Sequence, residues 1–116
     1  MKVICLDDEK IILQGMIINC KKIDKISEVI GFNTFKALQE YLKDNTADVI
    51  FSDINMPDVN GIDVAKYLRE THPEINVVFT TLSPTKHVIK LLINRHNAVI
   101  KISYFPVKKS FFKMEV

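Results

Sequence analysis

The chain has little cysteine, no low-complexity tract and no long apolar run, and each shortage excludes a class of protein. Its 116 residues include two cysteines, Cys5 and Cys20, whose spacing fits neither a zinc site nor a CxxC motif, so we expect two buried, reduced thiols. The apolar stretches are far shorter than the roughly 20 residues that a membrane helix needs. The first residues carry no signal-peptide pattern. The composition therefore predicts a cytoplasmic protein with no membrane partner.

An excess of one charge is also missing. The 16 Lys and Arg residues nearly balance the 14 Asp and Glu residues, for a net charge of +2, and the basic residues are spread along the chain. A nucleic-acid-binding domain usually gathers its basic residues into a patch, so no such surface is predicted. Apolar residues make up 47% of the chain, which is enough for a packed interior. We expect one domain that spans residues 1–116.

Strand-like and helix-like segments alternate along this domain. Short apolar runs of strand type occupy residues 2–6, 28–32, 48–52, 75–80 and 98–102. Helical patterns fill the intervals: residues 10–22 with Ile11, Ile12, Met16, Ile18 and Ile23, a segment that Thr34 caps, one that Asn60 and Gly61 open, and one that begins at Ser83 and Pro84. Such alternation predicts an α/β protein whose parallel sheet is covered by helices on both faces. Periodicity alone does not separate a flavodoxin-like strand order from other doubly wound folds.

Three acidic residues close two of the predicted strands. Asp7 and Asp8 follow the first apolar run, and Asp53 follows the third. The carboxyl ends of parallel strands form the binding crevice of such sheets. If the two strands are neighbours, the three carboxylates meet at one edge, where their mutual repulsion favours a neutralising cation. Mg²⁺ prefers oxygen ligands, so the sequence predicts a magnesium site.

The motifs resemble those of the receiver domain of two-component response regulators. The resemblance rests on the Asp7-Asp8 pair, on the run from Ser52 to Gly61 that reads S-D-I-N-M-P-D-V-N-G, and on Thr81 after the fourth strand. It is carried by the chain through residue 83. It implies a flavodoxin-like (βα)5 sandwich with a five-stranded parallel sheet in the order 2-1-3-4-5.

The resemblance also implies roles for individual residues. Asp53 matches the aspartate that accepts a phosphoryl group. Asp8 matches the residue that binds Mg²⁺ directly, and Asp7 matches the one that usually acts through metal-bound water. Asn55 matches the position whose backbone carbonyl is a further ligand, so the implied metal site is Asp7, Asp8, Asp53 and Asn55. Thr81 matches the hydroxyl residue that bonds the phosphoryl oxygen in the active state.

The last third of the chain departs from the family pattern. Leu82 follows Thr81, where receivers usually have a small residue. The family's Lys-Pro pair after the fifth strand is absent. Lys101, which lies 20 residues after Thr81, is the favoured candidate for the lysine that contacts the phosphoryl group. An alternative alignment puts Phe105 at that position.

The resemblance implies a phosphorylation-controlled signalling switch and not an enzyme that turns over a separate substrate. The donor would be the phosphohistidine of a sensor histidine kinase. The signal would pass to an output domain or protein, which binds DNA in many family members. We find no such output domain in this sequence. Homodimers are also common in the family. One alternative is a degenerate receiver that binds proteins without phosphorylation. Another is a Mg²⁺-dependent phosphohydrolase, although the D-x-D motif usual in such enzymes is absent from the first strand.

Overall fold

The architecture is a parallel sheet with helices packed against both faces. The computed structural model describes residues 1–53, 56, 57, 59–81 and 99–102. In chain order the elements are β1 (Lys2–Leu6), α1 (Lys10–Lys21), β2 (Glu28–Phe32), α2 (Phe35–Leu42), β3 (Val49–Asp53), α3 (Gly61–Thr71), β4 (Asn76–Thr81) and β5 (Val99–Ile102). The predicted strands and helices of this part of the chain all form, with ends that differ by a few residues.

The order of the strands follows the prediction. The sheet reads β2-β1-β3-β4, with β5 next to β4, and every neighbouring pair is parallel. After β1 the chain adds β2 on one side and β3 on the other, so the direction of winding reverses between β1 and β3. Such a switch point opens a crevice at the carboxyl ends of the strands. The segment predicted as the fourth helix, which begins at Ser83 and Pro84, lies outside the described residues.

Alternating side chains of the strands divide the interior into two cores. On one face, Ile4, Leu6 and Ile50 pack with residues of α2 and α3, among them Leu38 and Leu68. On the other face, Val3, Cys5, Val49 and Phe51 pack with the α1 residues Leu13, Met16 and Cys20. Because successive residues of a strand face opposite sides, continuous apolar runs such as Val3–Leu6 are what a sheet buried on both faces requires.

Side-chain caps define where two helices begin. The Thr34 hydroxyl accepts a hydrogen bond from the Ala37 N–H at 3.1 Å, as predicted for α2. The Asn60 side-chain oxygen accepts one from the Asp63 N–H at 2.9 Å and opens α3. Each bond satisfies one of the backbone donors that the first turn of a helix leaves without an intrahelical partner. The cap of Asn60 therefore fixes where α3 starts after the loop that follows β3.

The buried side of α1 differs from the side that its isoleucines suggested. Ile11 is 85% exposed and Ile18 is 56% exposed, and Ile12 is exposed as well. Of the five apolar residues whose spacing predicted the helix, Met16 and Ile23 are buried. Nearly every residue from 11 to 18 is apolar, so the helix itself was well signalled while its inward side was not.

The two cysteines are buried and free, which confirms the predicted burial; their reduced state stays a prediction. They belong to the same core, Cys5 from β1 and Cys20 from α1. The hydrogen bond with Cys20 and burial together raise the pKa of the Cys5 thiol, so Cys5 stays protonated. None of the helices in the described part of the chain has the length and apolar character that a membrane span requires.

Candidate metal centre

The three predicted carboxylates meet at the carboxyl edge of the sheet. Leu6 pairs with Ser52 across β1 and β3, so the next residues along each strand, Asp7 and Asp53, are level with each other. One carboxylate oxygen from each of Asp7, Asp8 and Asp53 lies within 4.8 Å of the other two. Residues that are far apart in sequence therefore form one acidic cluster at the switch point of the sheet.

Asp7 is the most constrained member of the cluster. It is only 3% exposed, and its N–H donates to the Phe32 carbonyl at 3.2 Å. Its Oδ1 accepts a hydrogen bond from the Glu9 N–H at 2.9 Å, which fixes the carboxyl group at the turn between β1 and α1.

Burial is the main reason why the pKa of Asp7 is raised to about 6. The hydrogen bond from Glu9 acts in the opposite direction, and the negative charges of Asp53 and Asp8 raise the pKa further. A carboxyl group with this pKa is still mostly ionised at neutral pH, but its charge has a free-energy cost that a nearby positive charge would offset. The cluster is therefore electrostatically incomplete without a cation.

A hard divalent cation fits this donor set. Mg²⁺ takes oxygen ligands at about 2.1 Å in an octahedron, so ligands on opposite sides of the ion lie about 4 Å apart. Three carboxylate oxygens within 4.8 Å of one another come close to this span, and Mg²⁺ usually keeps several of its own waters. Asp8 is more exposed than Asp7 and Asp53 is half-buried, so the cluster is open toward solvent on the side of these two residues.

Asp53 is the last residue of β3 and is paired with β4, one residue beyond the last pair between β1 and β3. In the register of the sheet it pairs with Thr80 of β4. Its backbone carbonyl accepts a hydrogen bond from the hydroxyl of Ser52 at 3.1 Å. The predicted strand ended one residue earlier, at Ser52. In the structure Asp53 is instead the last paired residue of β3 and not part of the loop that follows.

For two of the remaining predicted site residues, Thr81 and Lys101, the structure gives the position of the backbone in the sheet. Thr81 ends β4, one residue after the partner of Asp53, and Lys101 of β5 pairs with Thr80. Both strands therefore reach the edge that carries the acidic cluster. The side chains of Thr81 and Lys101, and the whole of Asn55, lie outside the described residues, so their roles stay predictions.

Sequence reasoning missed three groups that shape this edge. The Glu9 N–H and the Phe32 carbonyl hold Asp7 through backbone atoms, which no side-chain motif reveals. Ser52 could have been noticed, because it is a polar residue at the end of the apolar run Val49–Phe51 and directly precedes Asp53.

Comparison with known families identifies the family of the chain. Residues 3–101 match the response regulator receiver domain, a range that includes β1 through most of β5 and all of the acidic cluster. The chain belongs to this family. The resemblance noted from the motifs is thereby confirmed, and membership of the receiver family implies phosphorylation-dependent signalling.

Individual relatives share this domain. The Sensory transduction protein LytR of Staphylococcus epidermidis is 28% identical over 101 residues, which cover 87% of this chain and 40% of that protein. Stress response regulator protein 1 of Candida albicans is 34% identical over 67 residues, which cover 52% of this chain and 24% of that protein. The chain thus spans less than half the length of these curated relatives.

A solved structure agrees with the fold. The isolated receiver domain of RcsB from Salmonella enterica serovar Typhimurium, determined with the phosphomimetic BeF3⁻, superposes with a TM-score of 0.74 at 26% identity. The match covers 81% of this chain and 70% of that one.

Proposed function

We propose that the receiver is a phosphorylation-controlled switch in which Asp53 accepts a phosphoryl group. The observation that carries this proposal is the meeting of Asp7, Asp8 and Asp53 within 4.8 Å at the carboxyl edge of a receiver sheet. Asp53 is the member best suited to react, because it is half-buried at the end of β3 whereas Asp7 is buried and bonded to the backbone. Asp7, Asp8, Asp53 and the carbonyl of Asn55 would hold Mg²⁺.

The transfer step needs only groups that the site and its donor supply. A carboxylate oxygen of Asp53 forms a bond to phosphorus while the bond from phosphorus to the histidine nitrogen of a sensor kinase breaks. The bonding electrons stay on the imidazole, which takes up a proton. Mg²⁺, when bound, neutralises charge on the phosphoryl oxygens, so the protein contributes mainly alignment. In this proposal the receiver assists its own modification and is not an enzyme for a separate substrate.

The signal would leave the site through the neighbouring strands. A phosphoryl group adds about two negative charges at neutral pH. The Thr81 hydroxyl would donate to it and Lys101 would contact it, since β4 and β5 reach the same edge. A hydrogen bond from Thr81 to the phosphoryl group would favour one of two conformations around β4 and β5. Phosphorylation would thus shift the relative populations of these conformations. The partners in this proposal are a histidine kinase and an output domain or protein, in the cytoplasm, with a homodimer and DNA binding as further options.

Incubation with acetyl phosphate and Mg²⁺, followed by intact-mass measurement, tests the proposal. We expect the mass to increase by one phosphoryl group in the native chain and in Asp63→Asn, a control that changes an exposed acid of α3 outside the cluster. Asp53→Ala should show no increase. Absence of any increase in the native chain at saturating Mg²⁺ would favour the degenerate receiver that acts through protein contacts alone. Continued turnover of a simple phosphate ester would revive the phosphohydrolase.

A further inference from the structure

Ser52 is a buried polar residue in an apolar strand. Its side chain is fully buried, and its partners in the register are Leu6 on β1 and Phe79 on β4. Burying a hydroxyl among such neighbours is unfavourable unless the hydroxyl forms a hydrogen bond. Val49, Ile50 and Phe51 show that the rest of the strand up to this point is apolar. The hydroxyl at position 52 is therefore an exception within β3.

The hydrogen bond that Ser52 forms is directed at the proposed phosphoacceptor. Its hydroxyl donates to the backbone carbonyl of Asp53 at 3.1 Å. Side chains alternate along a strand, so Ser52 lies on the side of Ile50 and the α2–α3 core, and Asp53 lies on the side of Phe51. Ser52 thus contacts the acceptor residue through its backbone and stays on the opposite face of the sheet from the carboxylates.

The carbonyl that accepts this bond belongs to the peptide unit between Asp53 and Ile54. The orientation of that unit sets the direction in which the chain leaves β3. It also affects the backbone of Asp53, from which the reacting carboxylate projects. Asn55, the proposed carbonyl ligand, follows one residue later. The hydrogen bond from Ser52 therefore acts on the backbone of the proposed acceptor residue.

We propose that Ser52 is a positioning residue of the receiver site, whose hydroxyl orients the carbonyl of Asp53 and so sets the placement of the acceptor carboxylate. The inference rests on the proposed function of Asp53. A purely structural hydroxyl would contribute to stability alone. A positioning hydroxyl also changes metal affinity and phosphorylation rate in molecules that are fully folded.

Three variants separate these two roles. Ser52→Ala removes the donor, and Ser52→Cys keeps a side chain of similar shape with a weak donor. The control, Ile50→Val, removes one methylene from the same face of the same strand and leaves the Asp53 carbonyl untouched. Each protein is compared at a temperature where circular dichroism shows it fully folded. The readouts are the Mg²⁺ dissociation constant by calorimetry and the rate of mass gain with acetyl phosphate.

We expect Ser52→Ala to bind Mg²⁺ and gain phosphoryl groups about threefold to tenfold less well than the native chain, which corresponds to one hydrogen bond. Ser52→Cys should fall between them, and Ile50→Val should match the native chain. Native values in Ser52→Ala would overturn the inference while leaving the proposed function intact. If Ser52→Ala does not fold, native values in Ser52→Cys overturn it. Failure of the native chain to bind Mg²⁺ or to react would instead refute the proposed function, and the inference with it.

Discussion

Acidic groups have different neighbours at the two ends of the parallel sheet. At the amino end, the Lys2 N–H donates to an Asp48 carboxylate oxygen at 2.7 Å, and the Lys2 ammonium pairs with Glu28 at 3.4 Å. Nearby, His72 lies 3.5 Å from Glu74. Each of these acidic groups has a donor beside it. This end of the sheet is closed by its own hydrogen bonds and ion pairs.

At the carboxyl end, three acids are gathered around one another. One carboxylate oxygen from each of Asp7, Asp8 and Asp53 lies within 4.8 Å of the other two. Burial raises the pKa of Asp7, whereas the pKa of Glu74 at the other end is lowered, chiefly by a hydrogen bond from its own backbone N–H. The acids at one end are therefore neutralised by groups of the protein itself, whereas those at the other end form the acidic cluster to which we assign the proposed Mg²⁺.

The strongest test of this contrast is the loss of Asp8. We expect Asp8→Ala to weaken Mg²⁺ binding by at least about a hundredfold, because changes even to groups that only support metal ligands cost about tenfold to a hundredfold. NMR shifts on addition of Mg²⁺ should cluster at Asp7, Asp8 and Asp53 in the native chain and vanish in the variant. Asp48→Asn, at the other end, is the matched control and should bind Mg²⁺ normally. Mg²⁺-induced NMR shifts that persist in Asp8→Ala would show that Asp8 is not part of the metal site.

The second test uses the pH dependence of stability. The pKa of Asp7 in the fold, about 6, is above its usual value, so its ionised form destabilises the metal-free protein. This contribution is absent below about pH 4 and develops as pH rises through about 6, which should lower the free energy of unfolding by about 2 kcal/mol at neutral pH. Asp7→Asn should remove this decline, as measured by chemical denaturation across the range. Parallel pH curves for the native and Asp7→Asn proteins would contradict the electrostatic interpretation.

A third change is aimed at the amino end. Asp48→Ala removes the acceptor of the Lys2 N–H and should lower the free energy of unfolding by about 1 kcal/mol. The affinity of the folded protein for Mg²⁺ should stay unchanged, because the hydrogen bond between Lys2 and Asp48 lies at the opposite end of β1 from the acidic cluster. Denaturation and calorimetry on the same sample measure both quantities. A loss of Mg²⁺ affinity as large as that of Asp8→Ala would contradict the conclusion that the two ends of the sheet act independently.

The smallest expected effect comes from a residue that belongs to neither end. A Cβ on Gly15 of α1 would meet no atom within 4 Å, so Gly15→Ala has room on the helix surface. Alanine favours a helix interior over glycine by up to about 1 kcal/mol. We expect the melting temperature to rise while Mg²⁺ affinity and phosphorylation stay at native values. A fall in stability would show that the backbone at position 15 requires glycine.

Much of this contrast could be anticipated from the sequence. Continuous apolar runs located the strands, and the positions of Asp7, Asp8 and Asp53 at their ends predicted the acidic cluster because parallel strands end together. Thr34 and Asn60 predicted helix starts because their short polar side chains are suited to capping.

Other features depend on tertiary structure and leave a weaker trace in the sequence. The inward side of α1 is set by contact with Cys5 and Phe51, so Ile11 and Ile18, although apolar, are exposed. The hydrogen bonds that hold Asp7 come from backbone atoms of Glu9 and Phe32, which any residue could supply. The role of Ser52 depends on the direction of one carbonyl group.

The pairing of β1 with β3 also has a consequence for how this protein acquires its chemistry. Val3 aligns with Val49, so a loop of more than forty residues must close before the two strands meet. Contacts between such distant positions are slow to form and arise only when much of the chain has already collapsed. A nascent or partly unfolded polypeptide therefore lacks the acidic cluster, so in the proposed function metal binding would require the long-range topology to be complete.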